Sequence, residues 1–303
     1  MPCNILVIGC RGQVGWELMR TLQPLGRVTG VDCPDLDLTR PESVRPWLDQ
    51  TRPDVVVNAA AYTAVDRAET EPELARCLNA TAPALLAEET RRRGAWLVHY
   101  STDYVFDGHQ EAPYCEDAPP NPLNEYGRSK LAGDLAVKQA GGRYLILRLC
   151  WVYGGRGQNF LRTMLRLFTT REEVRVVNDQ WGAPTWSRHI AETTALALAR
   201  VLHVPEPEAY CGLYHLASAG VTTWHGFARA IWERVPAPAQ RCRDVVPIST
   251  AEYPTPARRP VRAVLDCGKL ERVFGFRLPD WETGLRQVLE SPVEGFEQLR
   301  FLP

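Results

Sequence analysis

Short apolar runs alternate with amphipathic helical stretches through the first half of the chain. Five runs predict buried strands near 4–8, 27–31, 54–60, 96–100 and 144–149. Between them, helical periodicity predicts helices near 13–22, 41–50 and 72–93 and a fourth helix around 126–130. Strands and helices that alternate in this way form a parallel sheet with right-handed crossovers. The first half is therefore predicted to be a doubly wound α/β sheet of the Rossmann type.

The second half contains shorter elements, separated by prolines at 184, 205, 207, 236, 238, 254, 256 and 260. Amphipathic helices are still predicted near 160–168, 190–202, 224–235 and 281–289. Prolines at this density favour a smaller lobe over a continuation of the sheet. We expect a dinucleotide-binding Rossmann domain over residues 1–155, completed by part of 180–215, and mainly a C-terminal substrate-binding lobe over 156–303.

Tyr126 and Lys130 stand four residues apart, which places both on one face of a helix. A nearby ammonium favours the phenolate, so Lys130 is expected to lower the pKa of Tyr126 below its reference value of about 10. Such a phenol can exchange a proton with a carbonyl oxygen. The alternative is a surface pair. Because the chain has ten tyrosines and lysine only at 130, 138 and 269, uniform composition predicts about 0.1 such pairs by chance.

The stretch from Gly9 to Gly15, G-C-R-G-Q-V-G, follows the first predicted strand and opens the first helix. Small residues in such a turn let backbone N–H groups approach a pyrophosphate, and the helix N-terminus favours its charge. Glycines that only pack a helix on a strand are the alternative. Asp32 ends the second strand, where it either accepts hydrogen bonds from an adenosine ribose, which favours NAD, or forms a turn before Pro34.

Two further strand ends carry candidate contacts. The third strand ends in Asn58-Ala59-Ala60-Ala61, whose small side chains leave room for the nicotinamide half of a dinucleotide. The fourth ends in Ser101-Thr102-Asp103, at the edge where an open α/β sheet binds ligands. Thr102 supplies a second hydroxyl to orient a substrate oxygen, or is simply a β-branched strand residue. The segment Asp37-Leu38-Thr39 either contacts adenine or caps the next helix through Thr39.

Composition argues against several kinds of partner. The 303 residues are 45% apolar and carry a net charge of −1, so no global field attracts nucleic acid or an anionic membrane. No basic leader and no run of about 18 apolar residues is present, and we expect a cytoplasmic protein. Nine scattered cysteines without a Cys-x-x-Cys pair and six dispersed histidines predict neither disulfides nor a metal site.

The glycine turn, the strand-end threonine and Tyr-x-x-x-Lys, in this order, resemble the extended short-chain dehydrogenase/reductases. Within them the chain is similar, nearly end to end, to the dTDP-4-dehydrorhamnose reductase family. The matching stretches are GQVGWE at 12–17, RPDVVVNAAA at 52–61, TAVD at 63–66, YSTDYVF at 100–106, PLN at 122–124, YGRSKLAG at 126–133, WVY at 151–153, QWGAPT at 180–185, GLYHL at 212–216 and YPTPARRP at 253–260. The last three lie outside the generic cofactor motifs and favour this subfamily.

The resemblance implies that Thr102, Tyr126 and Lys130 are catalytic. Tyr126 would protonate the C4 oxygen of dTDP-4-dehydro-β-L-rhamnose while NADPH or NADH delivers hydride to C4, giving dTDP-L-rhamnose; Lys130 would also hold the nicotinamide ribose. Together with Gly9 of the turn, the expected cofactor contacts are Gly12, Gln13, Val14, Asp32, Asp37, Leu38, Ala59, Ala60, Ala61, Tyr126 and Lys130. The expected contacts to the dTDP-linked 4-keto-6-deoxyhexose are Val65, Thr102, Tyr104, Trp151 and Arg259. Without the resemblance, Trp151 would be interpreted as a core aromatic.

The chain departs from the family at two places. Arg259-Pro260 is followed by Val261-Arg262-Ala263, whereas the family commonly has Arg-Pro-x-Asn-Ser, which changes the loop expected to contact the nucleotide. Some members dimerise through a magnesium ion, and Glu17 matches one of its ligands. Arg188 stands where another member has a glutamate, and a guanidinium cannot bind a cation. We predict no metal, and a monomer or a homodimer.

Two other functions stay open from the sequence. An epimerase or dehydratase of the same fold needs additional acid–base residues beside Thr102, but Tyr104 follows Asp103 where a typical dehydratase has a glutamate. A non-catalytic, NADP-binding regulatory subunit resembling the β subunit of methionine adenosyltransferase would not need an intact Thr102, Tyr126 and Lys130. Turnover of NADPH with the 4-keto sugar distinguishes the three.

Overall fold

The structure is a computed structural model that describes residues 3–299. The first part of the chain contains β1 (Cys3–Ile8), α1 (Gln13–Thr21), β2 (Gly26–Val31), α2 (Val44–Thr51), β3 (Val55–Asn58), α3 (Val65–Ala68), α4 (Pro72–Arg76), α5 (Ala82–Arg93), β4 (Trp96–Thr102), α6 (Glu125–Ala140) and β5 (Arg143–Leu149). The second part contains β6 (Val152–Tyr153), α7 (Phe160–Thr170), β7 (Glu173–Val177), β8 (Trp181–Gly182), β9 (Thr185–Trp186), α8 (Ser187–Val201), β10 (Gly212–Leu216), β11 (Thr222–Thr223), α9 (Trp224–Trp232), β12 (Asp244–Ile248), α10 (Gly268–Phe274) and α11 (Trp281–Leu289).

Six parallel strands form the central sheet, in the order β10-β5-β4-β3-β1-β2. The chain runs from β1 outward to β2 and then back to β3 on the other side of β1, so the direction of winding reverses between β1 and β3. The predicted doubly wound parallel sheet is confirmed. Because ligands bind at the carboxyl ends of the strands where this reversal occurs, the turn after β1 and the ends of β3 and β4 form one edge.

The sheet is covered by helices on both faces, which explains why its strands are apolar without alternation. On one face Ile5 and Val7 pack with Leu18 of α1 and with Ile190 and Leu198 of α8. On the other face the intervening strand residues pack with α2, α5 and α6. Full burial of each such aliphatic side chain contributes about 1.5–3 kcal/mol, so this sandwich fixes the sheet edge firmly.

A second apolar core lies outside the sheet. It is built from α7, α9 and α11 around the parallel pair β7–β12, with Phe168, Phe227 and Leu285 fully buried. Two short strand pairs, β8–β11 and β6–β9, connect this core to the sheet edge. No helix within residues 3–299 combines the length and the apolar character needed to span a membrane.

Two helices predicted from the sequence differ in the structure, one in its interior and one at its start. The helix expected over 72–93 is interrupted by a π-helical turn, Cys77–Thr81, between α4 and α5. This turn places the buried Asn79 side chain against the backbone of Tyr62. Asn79 Oδ1 accepts a hydrogen bond from the Tyr62 nitrogen at 2.9 Å, and Asn79 Nδ2 donates one to the Tyr62 carbonyl oxygen at 3.0 Å. The helix expected over 41–50 begins with a 3₁₀ turn at Pro41–Ser43. Local periodicity does not reveal either feature, because tertiary contacts select them.

Candidate active site

The turn between β1 and α1 is too tight for side chains at two of its glycines. Gly9 has a φ of +81°, and a Cβ added there would lie 2.6 Å from the Ala60 nitrogen. A Cβ added to Gly15 would lie 2.0 Å from the Gly9 carbonyl oxygen. Gly12 precedes α1 and has no side chain to occupy the first N–H groups of the helix. The turn therefore leaves a helix N-terminus open to an anion beside the exit of β3.

Asp32 ties the end of β2 to this turn. Its two carboxylate oxygens accept hydrogen bonds from the main-chain nitrogens of Arg11 and Cys33, both at 2.9 Å. Gln13 is held by the loop before α7, because its Oε1 accepts from Asn159 Nδ2 at 2.9 Å. Val14 and Ala59–Ala61 are half-buried beside them. These candidates lie at the carboxyl edge of the sheet, in positions where a dinucleotide could meet them.

Asp37 and Leu38 differ from the other cofactor candidates. The Leu38 side chain is buried in the core on the α2 side of the sheet. Asp37 Oδ1 accepts hydrogen bonds from Thr39 Oγ1 and the Thr39 nitrogen at 2.6 and 2.9 Å, which lowers the pKa of the carboxyl. Thr39 therefore closes a local turn and does not cap a helix. A buried Leu38 side chain offers adenine no surface, so a contact there would involve main-chain atoms.

Thr102 ends β4, opposite Leu149 of β5. Its Oγ1 donates a hydrogen bond to Asp103 Oδ1 at 3.0 Å and accepts one from the Tyr104 nitrogen at 3.2 Å. The residue is buried. These two contacts fix the hydroxyl at the sheet edge.

The start of α6 brings Tyr126 to Thr102. Asn124 caps the helix by accepting from the Gly127 nitrogen at 2.8 Å. A Cβ on Gly127 would lie 2.3 Å from the Tyr104 carbonyl oxygen, so glycine permits α6 to pack directly on the turn after β4. The Thr102 hydroxyl is close enough to the Tyr126 phenol to influence its pKa, so the two side chains lie side by side at this edge.

Lys130 lies one helical turn further along α6 and is buried. Its Nζ donates a hydrogen bond to the Tyr100 carbonyl oxygen at 2.5 Å. Desolvation lowers the pKa of the ammonium to about 8, although the carboxylate of Asp134 opposes this. Lys130 is therefore largely protonated at neutral pH and loses its proton at mildly basic pH.

The expected lowering of the Tyr126 pKa by Lys130 is wrong. Desolvation of the half-buried ring raises the pKa of its phenol above the ordinary value, the hydrogen bond with Thr102 opposes this, and the nearby carboxyls of Asp103 and Asp134 add to the rise. Sequence spacing places the lysine on the right helix face but cannot show how far the phenol is desolvated. A phenol with a raised pKa keeps its proton at neutral pH, which is the form that a proton donor needs.

Two buried carboxyl groups beside these residues escape prediction from the sequence. Desolvation raises the pKa of Asp103 to about 7, while hydrogen bonds with Cys150 and Thr102 oppose the rise. Asp134 accepts from Arg148 Nε at 3.0 Å, and both side chains are buried. Two sequence features could have identified them: Asp103 is an acidic residue at the tip of an apolar strand, and Asp134 lies four residues after Lys130 on the same helix.

A cluster of substrate candidates lies beside Tyr126. The Tyr104 ring meets the Tyr126 ring edge-on, with 5.7 Å between centroids. Arg259 lies beside Tyr104 and forms a two-point ion pair with Asp66, in which both N–O distances are 2.8 Å. The hydrogen bonds from Arg259 lower the pKa of Asp66. This pair connects the loop before α10 to α3, whose first residue is Val65. Asp66 is a further residue that sequence reasoning does not single out.

Arg188 and Glu17 connect α8 to α1 away from this cluster. Arg188 Nε donates to Glu17 Oε2 at 3.0 Å, and both residues line a cleft of about 300 Å³. The Arg188 guanidinium therefore pairs with the carboxylate of Glu17, the residue that matches a magnesium ligand in some family members. Within residues 3–299, no group of three or more His, Cys, Asp or Glu side chains is arranged to hold a metal ion.

A helix N-terminus behind a glycine turn, a strand-end threonine and a tyrosine–lysine pair on α6 share one edge of a parallel sheet. Fold and site together define a Rossmann-type oxidoreductase of the extended short-chain dehydrogenase/reductase class. The family model described as the RmlD substrate binding domain matches residues 3–293. The chain belongs to this family, the dTDP-4-dehydrorhamnose reductases.

Individual relatives match this chain over most of its length. The dTDP-4-dehydrorhamnose reductase of Burkholderia thailandensis is 52% identical over 283 residues, which cover 92% of this chain and 95% of the relative. That of Escherichia coli K12 is 44% identical over 297 residues, covering 95% and 97%. The solved structure of dTDP-4-dehydrorhamnose reductase from Bacillus anthracis in complex with NADP superposes with a TM-score of 0.85 at 35% identity, covering 95% of this chain and 99% of that one. The resemblance inferred from sequence motifs is confirmed.

Proposed function

We propose that this chain reduces the C4 keto group of dTDP-4-dehydro-β-L-rhamnose to give dTDP-L-rhamnose, with NADPH or NADH as reductant. The observation that carries the proposal is the packing of the start of α6 against the tip of β4, which brings Thr102, Tyr126 and Lys130 together at the sheet edge that holds the glycine turn. The names of the relatives support the substrate, and the NADP in the Bacillus anthracis structure supports the cofactor.

The residues at the sheet edge suit a dinucleotide. The space that a Cβ on Gly9 or Gly15 would fill is taken by main chain, so the uncapped first turn of α1 can approach a diphosphate. Asp32 lies at the end of β2, where its carboxylate can accept from a ribose. When bound, NADPH or NADH supplies the hydride that adds to C4 of the sugar.

The protein's own residues handle the proton. Thr102 accepts from the Tyr104 nitrogen and, by turning its hydroxyl proton from Asp103 Oδ1 to the substrate, donates to and orients the C4 oxygen. Tyr126 keeps its proton at neutral pH and gives it to that oxygen, so that the carbonyl becomes a hydroxyl and the phenol becomes a phenolate. The ammonium of Lys130, on the same helix face, stabilises this phenolate until the phenol regains a proton from solvent.

The substrate side of the site is proposed to consist of Val65, Tyr104, Trp151 and Arg259, with most of residues 156–303 forming the lobe that receives the sugar nucleotide. Arg259 is half-buried beside Tyr104 and carries a cation of the kind that pairs with diphosphate oxygens. Its ion pair with Asp66 orients the guanidinium before a substrate arrives.

We expect the purified protein to oxidise NADPH or NADH only when a dTDP-4-keto-6-deoxysugar is present, because reduction of C4 is the only step that consumes the hydride. The measurement is the loss of cofactor absorbance. NADH should be accepted within about a hundredfold of NADPH in kcat/KM, since Asp32 can bind the ribose hydroxyls. UDP-glucose with NAD serves as the control for epimerase activity. Cofactor oxidation without the sugar, or none with it, contradicts the proposed function.

We further expect the oligomeric state to be indifferent to magnesium, since Arg188 already pairs with Glu17. Light scattering with magnesium and with chelator should give the same mass. Arg188→Glu is the matched variant, because it replaces the cation by a second carboxylate that a divalent ion could bridge. A fall from dimer to monomer on chelation of the unmodified chain would show that a metal assembles it after all.

A further inference from the structure

Trp151 has an unusual backbone at the edge of the proposed sugar pocket. Its φ is +42°, in the left-handed region that bulky residues rarely adopt. The pairing of Leu149 with Thr102 places Trp151, two residues further on, at the same sheet edge as the catalytic candidates. Such a conformation persists only where neighbouring contacts determine it, and it is common at functional sites. The contacts that hold Trp151 in this conformation therefore indicate its role at the site.

Both faces of the Trp151 indole are covered. The Trp224 ring lies parallel on one face, with 3.6 Å between centroids and 10° between planes. A Cβ added to Gly182 would lie 2.5 Å from Cε2 of Trp151 and 2.8 and 2.9 Å from its neighbours Cζ2 and Cδ2, as an atom directly above the ring plane does. Because Trp224 occupies one face, Gly182 occupies the other. The indole is half-buried, so its edge is the part left open.

The two covering residues belong to one connected unit. Gly182 of β8 pairs with Thr222 of β11, and Trp224 begins α9 directly after β11. Thr223 caps α9 by accepting from the Gly226 nitrogen at 2.9 Å, and its hydroxyl donates to Asn178 Oδ1 at 2.7 Å. The separation of Gly182 and Trp224 is thus fixed by a strand pair and a helix cap, independently of the indole between them.

We propose that Trp224 and Gly182 are positioning residues that clamp Trp151 so that a fixed indole edge forms one wall of the sugar pocket. The inference rests on the proposed function, because Trp151 is itself a proposed substrate contact. An aromatic edge carries partial positive charge, whereas the face carries negative charge. The clamp therefore presents the ring in the orientation that suits the oxygen atoms of a keto-hexose or its diphosphate, and it prevents the ring from stacking flat on the sugar.

The test compares substitutions that loosen or crowd the clamp. Trp224→Ala should raise KM for the 4-keto sugar nucleotide about 3- to 10-fold, the range expected for loss of one aromatic pair, and leave the Kd of NADPH within about twofold. Trp224→Phe keeps a ring and should recover most of the loss. Gly182→Ala should raise KM at least as much as Trp224→Ala, since the added Cβ would displace the indole. Kd of dTDP-L-rhamnose, measured by calorimetry, gives the same comparison without turnover.

A matched control is available on the same helix. Trp232→Ala also removes a half-buried indole from α9, whose Nε1 donates to the Cys242 carbonyl oxygen at 2.9 Å away from Trp151. We expect it to lower thermal stability and leave KM unchanged. An equal rise in KM for Trp232→Ala, or a KM for Trp224→Ala within about twofold of the unmodified chain, overturns the clamp.

Circular dichroism tests the geometry apart from activity. Two indoles in contact at this distance couple, and an in-plane rotation of one ring against the other gives an exciton couplet in the far ultraviolet, which Trp151→Ala and Trp224→Ala should each remove and Trp232→Ala should keep. If the couplet behaves in this way but the unmodified chain does not turn over the sugar, the proposed function fails while the clamp stands. If turnover is normal and Trp151→Ala and Trp224→Ala leave the far-ultraviolet spectrum no more changed than Trp232→Ala does, the clamp fails alone.

Discussion

Tyr126→Phe is expected to lower kcat with the 4-keto sugar by about 10²- to 10⁴-fold, which corresponds to about 3–5 kcal/mol in the transition state. The substitution removes only the phenol oxygen, which lies beside Thr102 and, by our proposal, donates its proton to the C4 oxygen. It leaves the glycine turn and Asp32 untouched, so the Kd of the dinucleotide should change little. A loss of kcat and kcat/KM together, with binding retained, is the pattern of an interaction made only in the transition state.

The measurement is single-turnover oxidation of NADPH, which reports the chemical step separately from product release. Tyr144→Phe is the matched control, because Tyr144 is also half-buried but lies near the start of β5, at the opposite edge of the sheet. It should retain full activity. Retention of more than about a tenth of the single-turnover rate by Tyr126→Phe would mean that another group donates the proton.

The sequence predicts those parts of the site that are determined by residues close together along the chain. The glycine turn can be predicted because Gly9, Gly12 and Gly15 follow an apolar run and open a helix, which is the local context that a nucleotide-binding turn requires. Tyr126 and Lys130 are readable because a helix places residues four apart on one face. The apolar runs give the parallel sheet for the same reason, since strands covered on both faces lack alternation.

The parts that the sequence does not predict depend on contacts between distant segments. Asp66 and Arg259 are 193 positions apart, and Trp151 and Trp224 meet only because β8 and β11 pair. The rise in the pKa of Tyr126 also depends on contacts between distant segments. Helical spacing shows that an ammonium is near, but desolvation depends on how the Tyr104 turn and α6 close around the phenol.

Lys130→Ala is expected to impair both cofactor binding and rate, unlike the tyrosine substitution. By our proposal the ammonium holds the nicotinamide ribose, and a hydrogen bond to a charged group contributes about 1.5–3 kcal/mol. The Kd of NADPH should therefore rise by roughly tenfold to a hundredfold. The single-turnover rate should also fall, because no cation remains to stabilise the phenolate of Tyr126. Lys138→Ala, an exposed lysine on α6, is the control and should leave both quantities unchanged.

The same ammonium predicts the pH dependence of the reaction. The pKa of Lys130 is lowered from 10.5 to about 8, so the charged form is present below pH 8 and is lost as the pH rises through that value. The single-turnover rate should therefore be flat near pH 7 and fall about tenfold per pH unit above about 8. Asp103, whose pKa is about 7, is the other buried group that titrates nearby. Asp103→Asn should keep the basic limb and Lys130→Ala should lose it. A basic limb that survives in Lys130→Ala would assign the titration to a different group and remove the ammonium from the chemical step.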